Sequence, residues 1–445
     1  MIRREVVIVI VFLLSVFHVQ AQDTTRLSLL FIGDIMQHDS QISAAYDPLT
    51  KTYDYASCFQ FIAPQLRAAD LAIGNLEVTL AGTPYKGYPQ FSAPDELAHT
   101  LRDVGMDVLV TANNHCVDRG RKGIERTISL LDTLGIPHTG TFTDSAARNK
   151  TYPLLVEKNG FTISLLNYTF STNGIPVPKP AVVNQFDTLQ IKADLQKAKA
   201  QHTDAIIVFM HWGVEYQSLP HISQKKMAEF CFAHGAKLVI GSHPHVLQPI
   251  EWRKDKDQLL AYSLGNFVSG QRDRYKNGGA LLNVTLKKIQ GKDSTAQVTI
   301  DSASYTLDYI YRNAVTKDYF IMPVTPFEGD TLFVKNTIAR DQLREFAKDS
   351  RSLFTKYNAH VGEGLVKESM GYKIQLSKMM VLDSLPSALG FYGAKMEKDL
   401  LGTERIVIGN FFDRDLALQA LDNVRKTADK QAGIIVYVDD RRVKY

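Results

Sequence analysis

Short apolar runs that end abruptly in polar side chains recur along the first 245 residues of the chain. They lie at 27–34 (LSLLFIGD), 71–77 (LAIGNLE), 108–115 (VLVTANNH), 205–215 (AIIVFMHWGVE) and 238–245 (LVIGSHPH). Apolar runs of about four to eight residues predict strands buried on both faces. Between them, 93–104, 121–134, 189–201 and 223–234 place apolar residues three and four apart, the spacing of a helix with one buried stripe. Gly135, followed by Ile136 and Pro137, closes the second of these as a helix end does. Strands alternating with helices predict an α/β fold. Beyond about 262 the pattern changes. There 278–286, 296–300 and 304–311 alternate partially, as antiparallel strands that finish a sheet do.

The last third is organised differently. Residues 312–370 are polar and partly helical, with the helical stretch at 341–357, and read as an extension and linker. From 371 to 445 a compact unit follows, with a strand at 372–376 (YKIQL), a strand and helix within 405–425, and a strand at 433–443 (GIIVYVDDRRV). Leu416, Leu418, Ala420 and Leu421 are the apolar residues of its helix. The segment 171–179 (STNGIPVPK) is rich in turn formers and reads as a surface loop near the site.

At 445 residues the chain is long enough for two or three domains. Hydrophobic residues make up 45% and charged residues 22%, an ordinary globular balance. The net charge of +4 is small for this length and gives no reason to expect a nucleic-acid partner. Cys58, Cys116 and Cys231 are too few for a disulfide framework. Cys116, beside the tip of the third run, reads as a small buried residue rather than a nucleophile. At the N-terminus, Arg3 and Arg4 precede an apolar run at 6–17, and Val19-Gln20-Ala21 offers a cleavage site. This reads as a secretory signal peptide over 1–21, too short to span a bilayer, with an uncleaved anchor as the competing reading. The mature chain is then expected in the periplasm or cell envelope, without an integral membrane span.

The polar tips carry the chemistry. Strand ends gathered along one sheet edge are where α/β proteins bind ligands. Asp34 and Glu77 supply negative charge, Asn114 a side-chain carbonyl oxygen, and His211, His243 and His245 imidazoles. This donor set suits one or two divalent cations of the Mn, Fe or Zn class. On an extended segment His243 and His245 would point the same way, with Pro244 stiffening the backbone between them. A single histidine at a strand end is usually only hydrogen-bonded; several such ends together favour a site. Asn75, Arg119, Trp212, Glu215 and Asn266 flank the ligands and are the candidates for substrate contact, although packing competes for Trp212. Arg119, Arg121, Lys122 and Lys86 suit an anionic substrate, or equally a solvated loop and helix start.

GDIM (33–36), NLE (75–77), ANNHCVDRG (112–120), HWGVEY (211–216), GSHPHVLQPIE (241–251) and YSLGNF (262–267) occur in the order seen in the CapA/PgsA family. Over 26–270 the chain resembles these bacterial capsule or poly-γ-glutamate synthesis proteins, which look like a branch of the calcineurin-like metallophosphoesterases. The resemblance implies a four-layer α/β/β/α sandwich over 26–311. It makes Asp34 the first-strand ligand, puts Glu77 where an aspartate usually bridges, and makes Asn114 a ligand. His115 becomes the acid or base near the leaving group, with Asp118 beside it. It implies a metal-dependent hydrolase acting on an anionic envelope polymer or phosphoester, or a non-catalytic member of a polymer synthesis, export or anchoring assembly. One position departs from the pattern: the usual Asp-x-His has Met36 in place of the histidine. His38 is the nearest substitute, two residues too late for the same strand face.

The C-terminal unit resembles a divergent SPOR domain, a small α+β module that binds peptidoglycan glycan strands. The strand at 372–376 and Gly409-x-Phe411 before an alanine-bearing helix carry the likeness, whereas 377–401 matches poorly. A generic α+β appendage is the alternative.

Overall fold

The computed structural model describes residues 24–291, 296–331, 333–366, 370–377, 393–399, 402–411, 414–438 and 441–443. The segment read as a signal peptide, 1–21, lies outside them. The first strands in chain order are β1 (Thr24–Ile35), β2 (Leu71–Leu76), β3 (Val108–Val110), β4 (His138–Thr139), β5 (Leu154–Lys158), β6 (Phe161–Thr169) and β7 (Ala205–His211). Then follow β8 (Leu238–Ser242), β9 (Leu247–Arg253), β10 (Gln258–Leu264), β11 (Asn266–Val268), β12 (Gly278–Gln290), β13 (Ala296–Arg312) and β14 (Tyr319–Pro323).

One sheet runs β14-β13-β12-β1-β2-β3-β4 and a second runs β9-β10-β8-β7-β6-β5. Each has a parallel centre, β1 to β4 in the first and β6, β7, β8 and β10 in the second. The other strands in these two orders pair antiparallel, while β11 lies off the path and pairs in parallel with β1. Alternation along the strands builds the layers. Leu27, Leu29 and Phe31 of β1 join Ile207, Phe209 and Ile240 in the cluster between the sheets. The opposite face of the first sheet, with Leu30 and Ile32, packs on Leu97 and Leu101 of α1 (Asp95–Asp103) and Leu131 of α2 (Gly120–Leu134). The outer face of the second, with Val208 and Met210, packs on Leu195 of α3 (Thr188–Ala200) and Ala228 of α4 (Ile222–Ala233). The result is an α/β/β/α sandwich, and the four helices lie within two residues of the expected bounds. The segment 171–179 carries neither helix nor strand, as its turn formers predict.

One expectation needs correction. The two strands anticipated at 296–300 and 304–311 are a single long strand, β13. Its pairing with β12 jumps from Thr285↔Ser302 to Leu286↔Ile300, so Asp301 is an extra residue, a bulge. The bulge resets the alternation, and its side chain pairs with Arg26 and Lys287.

Within 312–370, α5 (Thr337–Tyr357) begins at Asn336, whose side chain accepts from the Ala339 N–H. Leu343, Phe346 and Phe354 of this helix enter the same apolar cluster as the facing sheets. Arg351 ties it down through Glu328 and Glu363. In the C-terminal unit, β15 (Met370–Gln375), β16 (Ala394–Lys398), β17 (Glu404–Phe411), β18 (Gly433–Val438) and β19 (Arg441–Arg442) form one sheet, in the order β16-β17-β15-β18-β19. Helix α6 (Arg414–Thr427) buries Ala417, Ala420, Leu421 and Val424. Leu416, expected among its apolar residues, is exposed. The poorly matching stretch lies largely outside the described residues.

Candidate metal centre

The strand tips meet because one backbone approach is unusually close. A Cβ on Gly33 would fall 2.1 Å from the Gly265 carbonyl oxygen, so only glycine lets β1 touch the turn after β10. With that contact made, β11 pairs in parallel with the tip of β1, and Asp34 sits between Asn266 on one side and Asn75 on the other. From the second sheet, His211 ends β7 opposite Ser242, the end of β8. Carboxylates from one sheet thereby face imidazoles from the other, all buried.

His211 Nε2 lies 2.7 Å from Asn114 Oδ1, 3.1 Å from His243 Nδ1 and 3.5 Å from Glu77 Oε1. His245 Nδ1 lies 3.1 Å from both Asp34 Oδ2 and Asn266 Oδ1, and its Nε2 is 3.8 Å from Glu77 Oε1. Asn75 Nδ2 donates to Asp34 Oδ1 at 2.8 Å and to Glu77 Oε2 at 3.3 Å. Two sets of potential ligands each lie within 4.8 Å: Glu77, His243 and His245, and Asp34, Glu77 and His211. Glu77 is common to both.

His243 and His245 do converge, but not along an extended segment. β8 ends at Ser242, and both histidines have left-handed backbones, with φ of 99° and 58°. Such conformations cost about 1–3 kcal/mol each and persist only where the surroundings fix them. Here the His243 N–H donates to Asp34 Oδ2 at 3.2 Å, and the Tyr216 N–H donates to the Pro244 carbonyl at 2.8 Å.

The electrostatics fit a cation. Burial, then the charge of Asp34, pushes the Glu77 carboxyl well above its usual range. Burial also works against the Asp34 anion, but the His245 and Asn75 hydrogen bonds outweigh it and hold its pKa below the ordinary value. Burial, then the neighbouring imidazoles, lowers His211 well below the usual histidine value, and burial followed by His245 lowers His243 to about 4. Neutral imidazoles keep their lone pairs, and Glu77 Oε1 is buried without a hydrogen-bond donor. An acceptor-rich, donor-poor cluster of this kind suits a divalent cation.

The remaining expected residues divide. His115 Nδ1 is 2.8 Å from Asp118 Oδ2, which also accepts from the Phe91 N–H. Asp118 therefore orients His115. Asn75 and Asn266 fix Asp34, Glu77 and His245. Glu215 is exposed, and its charge is felt at Glu77 and His243. Arg119 precedes α2 with its Nε buried and without a hydrogen-bond partner. Trp212 does not face a substrate: it is buried in the outer core, and its indole N–H donates to the Tyr262 carbonyl at 2.9 Å. Gly241 against that ring explains why the slot is filled by packing. Met36 is buried in the helix-facing cluster. His38 belongs to neither set of potential ligands, and its Nδ1 accepts from the Gly270 N–H at 3.1 Å. Burial holds the His38 pKa at about 4. Cys116 is buried, and burial pushes its thiol up to about 12.

Sequence reasoning missed Asn113, which donates to Asn75 Oδ1 and the Leu76 carbonyl, and Ser242, whose Oγ is 2.9 Å from His211 Nδ1. It also missed Phe170, packed on His243, and Asn173, whose Oδ1 accepts from Asn114 Nδ2. Asn173 lies in the turn-rich 171–179 loop, so the composition of that loop was the one available signal.

The architecture is that of a two-sheet sandwich with a buried carboxylate–imidazole centre between its strand tips. The chain belongs to the family described as bacterial capsule synthesis protein PGA_cap, whose model matches residues 28–271. It is 33% identical over 273 residues to the PGA biosynthesis protein CapA of Bacillus subtilis (strain 168), covering 59% of this chain and 68% of that relative. To the capsule biosynthesis protein CapA of Bacillus anthracis it is 29% identical over 335 residues, covering 68% and 76%. Among solved structures, the NAD nucleotidase NadN of Haemophilus influenzae overlaps with a TM-score of 0.39 at 14% identity, covering 73% of this chain and 56% of that one. The 5'-nucleotidase from Candida albicans SC5314 overlaps with a TM-score of 0.36 at 10% identity, covering 73% and 58%. Overlaps this loose leave the fold to be defined by the sheet order and layers. No helix among the described residues is long and apolar enough to cross a membrane.

Proposed function

We propose that this capsule-synthesis family member is a secreted, metal-dependent hydrolase of the periplasm or cell envelope, acting on an anionic polymer or phosphoester. The observation that carries the reading is the donor-free Glu77 Oε1 among three imidazoles. Asp34, Glu77, Asn114, His211, His243 and His245 would hold one or two ions of the Mn, Fe or Zn class. When bound, such an ion supplies Lewis acidity toward the scissile bond and makes water easier to deprotonate. His115 exchanges a proton with the leaving group through Nε2, because Asp118 occupies Nδ1 and fixes the ring. Arg119 draws the anionic group toward the centre. Phe91 and Phe170, packed on His115 and His243, limit the approach of water.

Metal analysis of protein never exposed to chelator tests the reading, together with turnover of phosphomonoesters, phosphodiesters and γ-glutamyl peptides. Bound metal and turnover abolished by His243→Ala are expected; absence of metal with no rebinding would overturn it. The buried Met36 favours a second reading, a centre that binds polymer without cutting it. Stoichiometric metal with no turnover of any panel member would select that one. In either reading the C-terminal unit holds the protein to peptidoglycan glycan strands. Sedimentation with purified sacculi checks this, and recovery in the supernatant alone refutes it.

A further inference from the structure

Asn114 is buried, and an amide side chain fills the same space whichever way its oxygen and nitrogen point. Its orientation is therefore set by its neighbours. On the inner side Asn114 Oδ1 lies 2.7 Å from His211 Nε2. On the outer side Asn114 Nδ2 donates at 3.2 Å to the side-chain oxygen of Asn173, in the loop that follows β6. The inner contact cannot serve an occupied site. His211 Nε2 is the ring nitrogen that faces Glu77 and His243, whereas Nδ1 faces Ser242 Oγ. A neutral imidazole has one N–H, and a nitrogen that gives its lone pair to a cation keeps no proton for Asn114. Among the described residues, Asn173 is then the contact that keeps the Asn114 oxygen turned inward.

The loop is fixed on both sides of Asn173. Asn173 and Gly174 have φ of 53° and 74°, and the Ile175 N–H donates to the Thr172 carbonyl at 2.9 Å. The pair is thus the centre of a tight turn with two left-handed residues, the backbone that Asn and Gly tolerate best. The Asn173 N–H donates to Ser171 Oγ at 3.0 Å, and Thr172 Oγ1 donates to the Ile175 carbonyl at 2.8 Å. Before the turn, the Phe170 N–H donates to the His211 carbonyl at 3.0 Å. After it, Ile175 and Val177 pack on Ala112, Cys116 and Val117, which flank Asn114 in the chain. We propose that Asn173 is a positioning residue of the metal centre, locking the Asn114 amide with its oxygen toward the cation. The inference rests on the metal-dependent reading and extends it to a residue outside the ligand set. A reversed amide would present N–H groups to the ion and turn an attraction into a repulsion. Outer partners that orient a ligand in this way change metal affinity by about 10–100-fold.

The test is calorimetric titration of the chelator-treated full chain with Mn²⁺ and Zn²⁺, in wild type and in variants of Asn173. Asn173→Gly removes the acceptor while allowing the left-handed backbone, and should weaken binding about tenfold. Asn173→Asp keeps an acceptor oxygen at the same place and should bind at least as tightly as wild type. In an Asn114→Ala background, Asn173→Gly should weaken binding no further, because the two residues act through one amide. A turn that mattered only as structure would still cost affinity in that background. Equal affinity of wild type and Asn173→Gly overturns the lock. So does a loss in Asn173→Asp as large as in Asn173→Gly, or a tenfold loss that persists on Asn114→Ala. Failure of wild type to bind either ion would instead remove the metal-dependent reading, and the lock with it.

Discussion

Glu77→Gln separates the charge of the centre from its shape. The amide keeps an oxygen to accept from Asn75 Nδ2 and places N–H groups where Oε1 now lies, 3.5 Å from His211 Nε2 and 3.8 Å from His245 Nε2. In metal-free protein that oxygen is buried without a donor, and leaving such a group unsatisfied costs about 1–3 kcal/mol. The raised carboxyl pKa sets the sign of the pH dependence. The native state keeps a proton that the unfolded chain releases above its ordinary value of 4.5, so the stability this proton contributes is full at low pH and is lost as pH rises. Metal-free Glu77→Gln should therefore exceed metal-free wild type by about 1–3 kcal/mol at roughly pH 8, with the margin closing near pH 4. Each kcal/mol corresponds to a rise of roughly 2–4 °C in melting temperature for a domain of this size. Added cation should reverse the ranking. An ion that binds only the native state stabilises by about 2.7 kcal/mol at a hundredfold excess over its Kd. The variant, having lost the carboxylate shared by both ligand sets, should lose most of that gain. Thermal melts of chelator-treated protein across pH, with and without Mn²⁺ or Zn²⁺, read both effects. Equal cation-induced shifts in the two proteins would refute Glu77 as the shared ligand.

Three further outcomes follow from particular contacts. Asp118→Asn should lower kcat about 10²–10⁴-fold on any substrate the wild type turns over, with metal content intact, because it removes the anion that orients His115. Asp308 is buried in β13 with both oxygens unpartnered, and burial holds its carboxyl well above the usual value. Its stability contribution falls as pH rises, so Asp308→Asn should be more stable than wild type in urea at neutral pH, by about 1–3 kcal/mol, and equal to it near pH 4. Trp212→Phe should cost about 0.5–1.5 kcal/mol through its lost hydrogen bond to Tyr262 while leaving KM unchanged. A raised KM at full stability would restore Trp212 as a substrate contact.

The layers of the sandwich are legible because strands covered on both faces leave uninterrupted apolar runs, and helices on those faces leave three-and-four spacing. The bulge at Asp301 is not legible, since one inserted residue reverses the alternation and looks like a strand break. The candidate ligands are legible because each lies at a strand tip or within four residues beyond it. Asn113 and Ser242 are not, because their partners, Asn75 and His211, are distant in sequence and a short polar side chain carries no periodic mark.

The histidine pair shows where correct convergence and incorrect geometry part. Alternation on an extended segment aims His243 and His245 the same way, and both rings do reach the centre. They arrive instead through two left-handed residues, a conformation histidine tolerates better than most side chains. The difference has a chemical consequence. An extended strand would turn its N–H groups toward neighbouring strands, whereas this loop turns the His243 N–H onto Asp34 Oδ2, the same oxygen that meets the His245 ring. Asp34 is thus held as an anion by backbone and side chain of one short segment, despite complete burial. Among the described residues, Glu77 accepts only from Asn75, through Oε2, and its Oε1, left without a donor, is the oxygen open to a cation.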